Sequence, residues 1–290
     1  MYAILGITGK VGGATARTLL ANGQRVRAIL RDDRKAAEWA AQGAEVAIAD
    51  WHDRATLIAA FSGVEGVFVM LPPNFAPLPD FPEARAQLSV LHDALAAAAP
   101  PRFVALSSVG AHRPRGLGLI TQSHLLEQAL GSLPIASALL RAAWFMENTQ
   151  WDIAPAREHG EIPSFLTPLD RAIPMIATDD IGAVAARTLQ QRWSGRRVLE
   201  LSGPQACSPN DLAAALAQGL DRSVTATVVP RETWQDLFVQ QGMPTQQTGA
   251  RIEMLDGFNS GWITFEHAAH TETVTTTTTL QTALAPLLAT

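Results

Sequence analysis

Short apolar runs and amphipathic stretches alternate along the first 110 residues. The runs at 2–7, 25–30, 45–49, 66–71 and 102–106 read as strands. The stretches at 12–22, 34–42, 54–61 and 83–98 carry a helical pattern, with Leu19 and Leu20 on the inner face of the first and Asn22-Gly23 as its stop signal. Strand and helix alternate at βα spacing. That predicts parallel strands joined by right-handed crossovers, and so an α/β fold with a Rossmann-type doubly wound parallel sheet.

The second half is less regular. Helices are expected at 120–130, 180–191, 209–219 and 280–288, and strands at 135–140, 198–201 and 224–229. The Thr178-Asp179 pair is expected to cap the helix at 180–191. Thr278 with Gln281 matches a capping box for the last helix, and the threonines 275–279 read as a β-prone lead-in to it. No internal repeat is visible. The expected organisation is a cofactor domain over 1–150, to which 176–204 returns, with 151–290 forming mainly a smaller C-terminal α/β substrate-binding region.

Gly6, Gly9 and Gly12 form G-x-x-G-x-x-G between the first run and the first helix. A glycine triplet gains meaning in this strand-to-helix context. Small residues let the chain reverse sharply, bring backbone close to a pyrophosphate and pack the helix on the strand. The helix N-terminus then offers free N–H groups and partial positive charge to phosphate. At the end of the second strand, where NAD proteins carry Asp or Glu for a ribose hydroxyl, this chain has Arg31, 25 residues after Gly6. A guanidinium suits a 2′-phosphate, and Lys35 adds charge one turn on, so NADP(H) is favoured over NAD. Asp32 and Asp33 pull the other way, since either could bond a bare ribose.

Composition narrows the field. The chain is 47% hydrophobic and 17% charged, enough apolar material for a sizeable core. A net charge of −5 gives no electrostatic footprint for nucleic acid or an anionic membrane. No segment reaches the roughly 18–20 unbroken apolar residues of a membrane span. The single cysteine, Cys207, permits no internal disulfide, and with no leader-like N-terminus the expected location is cytoplasmic. The histidines (52, 92, 112, 124, 159, 267, 270) show no ligand spacing, so no metal site is expected, and there is no Gly-x-Ser-x-Gly elbow for a hydrolase.

With these residues in hand the chain resembles the NmrA-like branch of the atypical short-chain dehydrogenase/reductases, over nearly its whole length. The glycine motif and Arg31 are the first part of the resemblance. Ala49-Asp50-Trp51-His52-Asp53 is similar to the family's adenine-side segment, and Leu71-Pro72-Pro73 to the segment under the adenosine ribose. Leu106-Ser107-Ser108-Val109-Gly110 looks like the segment ending the fifth strand. Leu140-Arg-Ala-Ala-Trp-Phe-Met-Glu-Asn148 is similar to the family's LRPxxFMEN segment beside the nicotinamide, with Ala142 in place of the usual proline, and 256–261 to a late segment of some members. The resemblance implies a cofactor domain, a smaller substrate domain and a site in the cleft between them. It implies NADPH-dependent reduction of quinones and related unsaturated compounds, or, in other members, NADP(H) binding without efficient turnover, as redox sensors or transcriptional co-regulators.

Taken together, these readings place Gly6, Thr8, Gly9, Lys10, Val11, Gly12, Arg31, Lys35, Asp50, Trp51, Leu71, Pro72, Ser107, Ser108, Ala143, Trp144 and Phe145 on the cofactor. They place Trp144, Phe145, His112 and Asn148 on the substrate. The superfamily's Tyr-x-x-x-Lys dyad has no counterpart, because the only tyrosine is Tyr2 and the only lysines are Lys10 and Lys35. Ser123 and His124 stand near the lysine position and Ile120 near the tyrosine position. Hydride transfer to a quinone makes a weaker demand, since the product is a stabilised phenolate and positioning supplies much of the catalysis. His124 and Asn148 are the catalytic candidates, His124 as proton donor or ribose partner. The Pro-rich stretch 72–82 is either a lid or an inert loop. Three functions stay open: an NADPH-dependent reductase of a flat conjugated molecule, which is preferred, a non-catalytic NADP(H) sensor, and another NADPH-linked reaction in a biosynthetic pathway. The expected partners are a small-molecule substrate, a second copy in a homodimer and, for the sensor, a regulatory protein.

Overall fold

The computed structural model describes residues 1–289. In chain order the first half runs β1 (Tyr2–Ile4), α1 (Lys10–Ala21), β2 (Val26–Leu30), α2 (Ala36–Ala41), β3 (Glu45–Ile48), α3 (Arg54–Phe61), β4 (Gly66–Val69), α4 (Pro82–Ala98), β5 (Arg102–Ser108), α5 (Thr121–Leu130) and β6 (Ala136–Ala142). The second half runs β7 (Trp144–Phe145), α6 (Ile153–His159), β8 (Glu161–Ser164), β9 (Ile173–Ile176), α7 (Thr178–Gln190), β10 (Arg196–Ser202), β11 (Ala206–Cys207), α8 (Pro209–Leu220), β12 (Thr225–Val228), α9 (Trp234–Gln240), α10 (Gly249–Ser260), β13 (Thr271–Thr275) and α11 (Leu280–Leu288).

Eight strands form one parallel sheet in the order β3-β2-β1-β4-β5-β6-β10-β13. Burial on both faces explains why its central strands are unbroken apolar runs. One face packs Ile4, Phe68, Val104 and Leu140 against α1 and α7, and the other packs Leu5, Val69, Phe103 and Leu139 against α3, α4 and α5. The chain winds outward from β1 to β3, then crosses back to β4. The carboxyl ends of β1 and β4 therefore flank the switch point where such sheets bind ligands. Smaller elements cap that end: a β11-β9-β7 sheet, a parallel β8-β12 pair, and a hydrophobic cluster of Trp234, Phe238 and Leu255.

Two caps differ from expectation. Thr178 is the first residue of α7 and caps nothing. Instead Glu147 Oε1 accepts from the Thr178 N–H (2.8 Å) and hydroxyl (2.7 Å). The last helix is capped by Thr279, which accepts from the Thr282 N–H, while Thr278 is spent on Asp180, its hydroxyl 2.8 Å from Oδ1. Side-chain caps from a distant segment leave no local signature.

α1 and α7 approach closely because Gly182 has no side chain. A Cβ there would lie 2.4 Å from Ala14 Cβ and 2.7 Å from the Thr15 nitrogen. Gly182→Ala must push the helices apart, and we expect it to cost about 1–3 kcal/mol as overpacking. The measurement is the urea midpoint, which should fall at unchanged slope.

Candidate functional site

Steric constraint builds the turn between β1 and α1. Gly6 has φ +69°, and a Cβ on it would meet Met70 Sδ at 2.8 Å. A Cβ on Gly12 would lie 2.3 Å from the Gly6 carbonyl oxygen. The Gly9 N–H donates back to that oxygen at 3.0 Å. Gly9 is the N-cap of α1 and no side chain caps the helix, so its first-turn N–H groups, from Lys10, Val11 and Gly12, remain available to an anion. Thr8 is exposed beside them, and Lys10 reaches over to Gln150 Oε1 at 3.0 Å.

The charges after β2 sort themselves. Arg34 clamps Asp32 through Nε (2.9 Å) and Nη2 (2.6 Å), and these bonds hold the Asp32 carboxyl down at about 2. Asp32 is thereby committed to Arg34. Arg31 is exposed and has no hydrogen-bond or ion-pair partner among the described residues, and the same is true of Lys35. Both stay available to a phosphate. Asp50 turns inward on its own loop, accepting from the His52 N–H at 2.8 Å, and Asp53 caps α3. Trp51 packs on the α3–α4 side of the core.

A cleft opens beyond the carboxyl ends of β4 and β5. Met70, Leu71, Pro72, Ser107, Ser108, Gln122, Ser123 and Phe145 line it. Met70 touches both this cleft and the glycine turn, so the two are one continuous region. The Pro-rich segment carries a second, smaller hollow, which shares Asn74 and Gln122 with the first.

The two serines are unequal. The Ser107 hydroxyl donates to Glu127 Oε1 at 2.6 Å inside a buried ion network. Arg141 gives Nε (2.9 Å) and Nη2 (2.8 Å) to the same carboxylate and Nη1 to Glu266 at 2.6 Å. Glu200 accepts from the backbone N–H groups of Glu266 (2.7 Å) and His267 (3.1 Å). Burial opposes the Arg141 charge, but the bonds to Glu127 and Glu266 more than offset it and its pKa is raised. Ser107 is thus tied from behind, and Ser108 carries the half-exposed hydroxyl of the pair.

The 144–148 segment divides its residues. Phe145 faces the cleft. Trp144 stands edge-on to Phe258 with ring centroids 5.1 Å apart. Ala143 and Met146 are buried, Glu147 holds α7, and Asn148 is exposed without a hydrogen-bond partner among the described residues. His124 Nδ1 lies 2.8 Å from the Ala111 carbonyl, which fixes the proton on Nδ1 and leaves Nε2 free. His112 Nδ1 is buried without a partner. Neither histidine lines the cleft. Sequence reasoning missed Glu127, Arg141 and Gln122. It also passed over Asp152, just beyond this segment, whose carboxyl burial pushes up to about 7. No metal-ligating cluster occurs among the described residues, and no helix among them is long and apolar enough to cross a membrane.

The arrangement suits a dinucleotide with its phosphates on α1 and its reactive end against Phe145 and Ser108. Comparisons with known proteins agree in kind. The profile of the NmrA-like family matches residues 2–272. The NAD(P)H azoreductase of Xenophilus azovorans is 29% identical over 255 residues, covering 88% of this chain and 86% of that protein. Quinone oxidoreductase 2 of Escherichia coli is 30% identical over 227 residues, covering 78% and 76%. The crystal structure of the E. coli NADPH-dependent quinone oxidoreductase complexed with NADPH superposes with a TM-score of 0.81 at 26% identity, covering 99% of both chains. The Citrobacter triphenylmethane reductase shares the fold, with a TM-score of 0.81 at 20% identity.

The network also sets a pH dependence. Burial, then the Arg141 charge, lowers the His112 pKa from 6.5. Between 6.5 and the lower folded value the unfolded chain binds more protons than the native one, so stability rises with pH there and falls on acidification. His112→Asn should flatten that slope, read from denaturant midpoints between pH 5 and 7.5.

Proposed function

This chain belongs to the NmrA-like family, and on that footing we propose that it is an NADPH-dependent reductase of small conjugated acceptors such as quinones. The observation that carries the reading is the continuity of the two sites: Met70 backs the Gly6 turn and also walls the cleft. The relatives that reduce quinones and azo compounds support it, as does the structure that holds NADPH on the same fold.

The residues fit the cofactor. Gly6 and Gly12 leave a cradle that a Cβ would fill, and the uncapped start of α1 offers N–H groups to the pyrophosphate. Arg31, with Lys35, takes the 2′-phosphate, a role left open because the Asp32 hydrogen bonds go to Arg34. When bound, NADPH supplies the hydride. The chain's own part is to hold a flat acceptor against Phe145 and exclude water from the cleft, with the small β11-β9-β7 sheet, the β8-β12 pair and the Trp234 cluster closing the substrate side. Leu71 and Pro72 shape the opposite wall. The Ser108 and Ser123 hydroxyls offer hydrogen bonds to a developing phenolate, which needs no strong acid, while the Gln122 amide is spent on the Asn74 and Leu119 carbonyls. Tyr2 lies buried in β1 and takes no part. Neither Asn148 nor His124 lines the cleft, and neither is assigned a step.

The test is a side-by-side titration with NADPH, NADP, NADH and NAD, followed by NADPH oxidation with 1,4-benzoquinone. NADPH should bind more tightly than NADH. Arg31→Ala should weaken NADPH roughly 10–100-fold, the loss of about 1.5–3 kcal/mol of charge-assisted bonding, and leave NADH unchanged. Folded protein that binds no dinucleotide would sink the reading. Tight binding with no oxidation by any acceptor would favour a sensor instead.

A further inference from the structure

Two side chains on the cleft wall have their hydrogens taken by the protein itself. The first is Ser107, which lines the cleft at the end of β5. Glu127 Oε1 receives both the Ser107 hydroxyl (2.6 Å) and Arg141 Nε (2.9 Å), and Oε2 receives Arg141 Nη2 (2.8 Å) and Arg196 Nη2 (3.2 Å). Both carboxylate oxygens are occupied as acceptors, so the hydrogen between Ser107 and Glu127 belongs to Ser107. A hydroxyl has only one. Turning it to the cleft would trade a charge-assisted bond for a neutral one and deprive a buried carboxylate of a donor. Toward an occupant of the cleft, Ser107 Oγ is therefore an acceptor only.

The second is Gln122, in the first turn of α5, the helix that also carries Glu127. Its Nε2 lies 3.0 Å from the Asn74 carbonyl oxygen and 3.2 Å from that of Leu119. Two carbonyl acceptors fix which end of the amide is nitrogen and use both of its hydrogens. Gln122 Oε1 has no partner among the described residues. One helix thus sets the polarity of both groups, and each offers the cleft lone pairs without a hydrogen.

We propose that Ser107 and Gln122 are specificity-determining residues that select quinones carrying an N–H donor beside the reducible carbonyl. The proposal rests on the reductase reading above and names the acceptors that reading prefers. An amino substituent meets oxygens that the protein does not satisfy for itself. A methyl substituent of similar size covers the same oxygens, strips their water and returns no hydrogen bond. Sites built to bond a polar group reject the analogue that lacks it far more sharply than an apolar pocket rejects a missing methylene. Neither side chain exchanges a proton. The quinone gains one hydride from the nicotinamide and one proton from water, whichever substituent it carries.

The experiment compares 2-amino-1,4-naphthoquinone with 2-methyl-1,4-naphthoquinone. Equilibrium dialysis first measures both Kd values on the wild-type protein saturated with NADP, where no hydride is available. The amino compound should bind about tenfold more tightly. Equal or weaker binding overturns the proposal without recourse to any variant. Turnover with NADPH is then followed in Ser107→Ala, which leaves Glu127 its two arginines, and in Gln122→Met, which keeps the length of the side chain. Each should raise KM for the amino quinone about fivefold, the size of one uncharged hydrogen bond, with kcat unchanged. Both constants for the methyl quinone should stay within twofold. Because each variant is compared with wild type on the same quinone, the different redox potentials of the two acceptors cancel. Equal rises on both quinones, or no rise on either, overturn the proposal and leave the reductase intact. A weaker Kd for NADP in Ser107→Ala would give that oxygen to the cofactor and overturn it as well. If neither quinone is reduced, the reductase reading fails, and the dialysis comparison alone decides whether the cleft prefers a donor.

Discussion

The close approach of Gly12 to the Gly6 carbonyl is the constraint on which the rest turns. With 2.3 Å between that oxygen and any Cβ at residue 12, only glycine lets α1 begin where it does, pointed at the carboxyl ends of β1 and β4. That start point fixes where the uncapped N–H groups of the first turn point. It also brings α1 against α7, where Gly182 makes the same accommodation, and α7 is in turn held by Glu147 from the segment that presents Phe145. The glycine turn and the Phe145 side of the cleft are therefore connected through backbone contacts and one carboxylate cap.

Behind the cleft, the structure accepts a buried charge network where an apolar core would be simpler. Ser107, Arg141 and Glu200 are lateral neighbours on β5, β6 and β10, so parallel register alone puts their side chains on one face. Glu127 from α5 saturates the row by accepting from Ser107, both sides of the Arg141 fork, and Arg196. A buried ion pair is weak evidence for net stability, but breaking one partner leaves a stranded charge. The network works as a registry device: it admits only the arrangement in which three strands, α5 and the 262–267 segment are all in place.

The first half of the fold was legible because its signals are local. Apolar runs at βα spacing, a glycine turn and a helix stop are all read within a dozen residues. The second half depends on contacts that sequence order conceals. β7, β9 and β11 have four residues or fewer, too short for any periodicity. β13 reads Thr-Glu-Thr-Val-Thr, a polar stretch that becomes a strand only because β10 offers an edge. α10 lacks a clean apolar stripe because its residues face two clusters and the 118–120 turn at once. For the site, the glycines and the importance of Arg31 were readable. Which aspartate Arg34 would occupy, which serine Glu127 would claim and where His112 would be enclosed were not, since each depends on how the folded chain places a partner: Arg34 beside Asp32, Glu127 against Ser107 and Arg141 near His112. The second half of the 72–82 stretch lines the smaller hollow, and so is a wall rather than a bystander.

β13 joins the parallel sheet at residues 271–275, after the chain has built the whole capping lobe. During synthesis from the N-terminus, six strands of the sheet are complete by residue 142, but β6 waits for β10 and β10 waits for β13. Arg141 meets Glu127 early and Glu266 only when about nine-tenths of the chain has emerged. Until β10 is in place, β6 is an open edge whose one charge, Arg141, is met by Glu127 alone. The Arg141–Glu266 contact therefore closes only as the sheet itself nears completion.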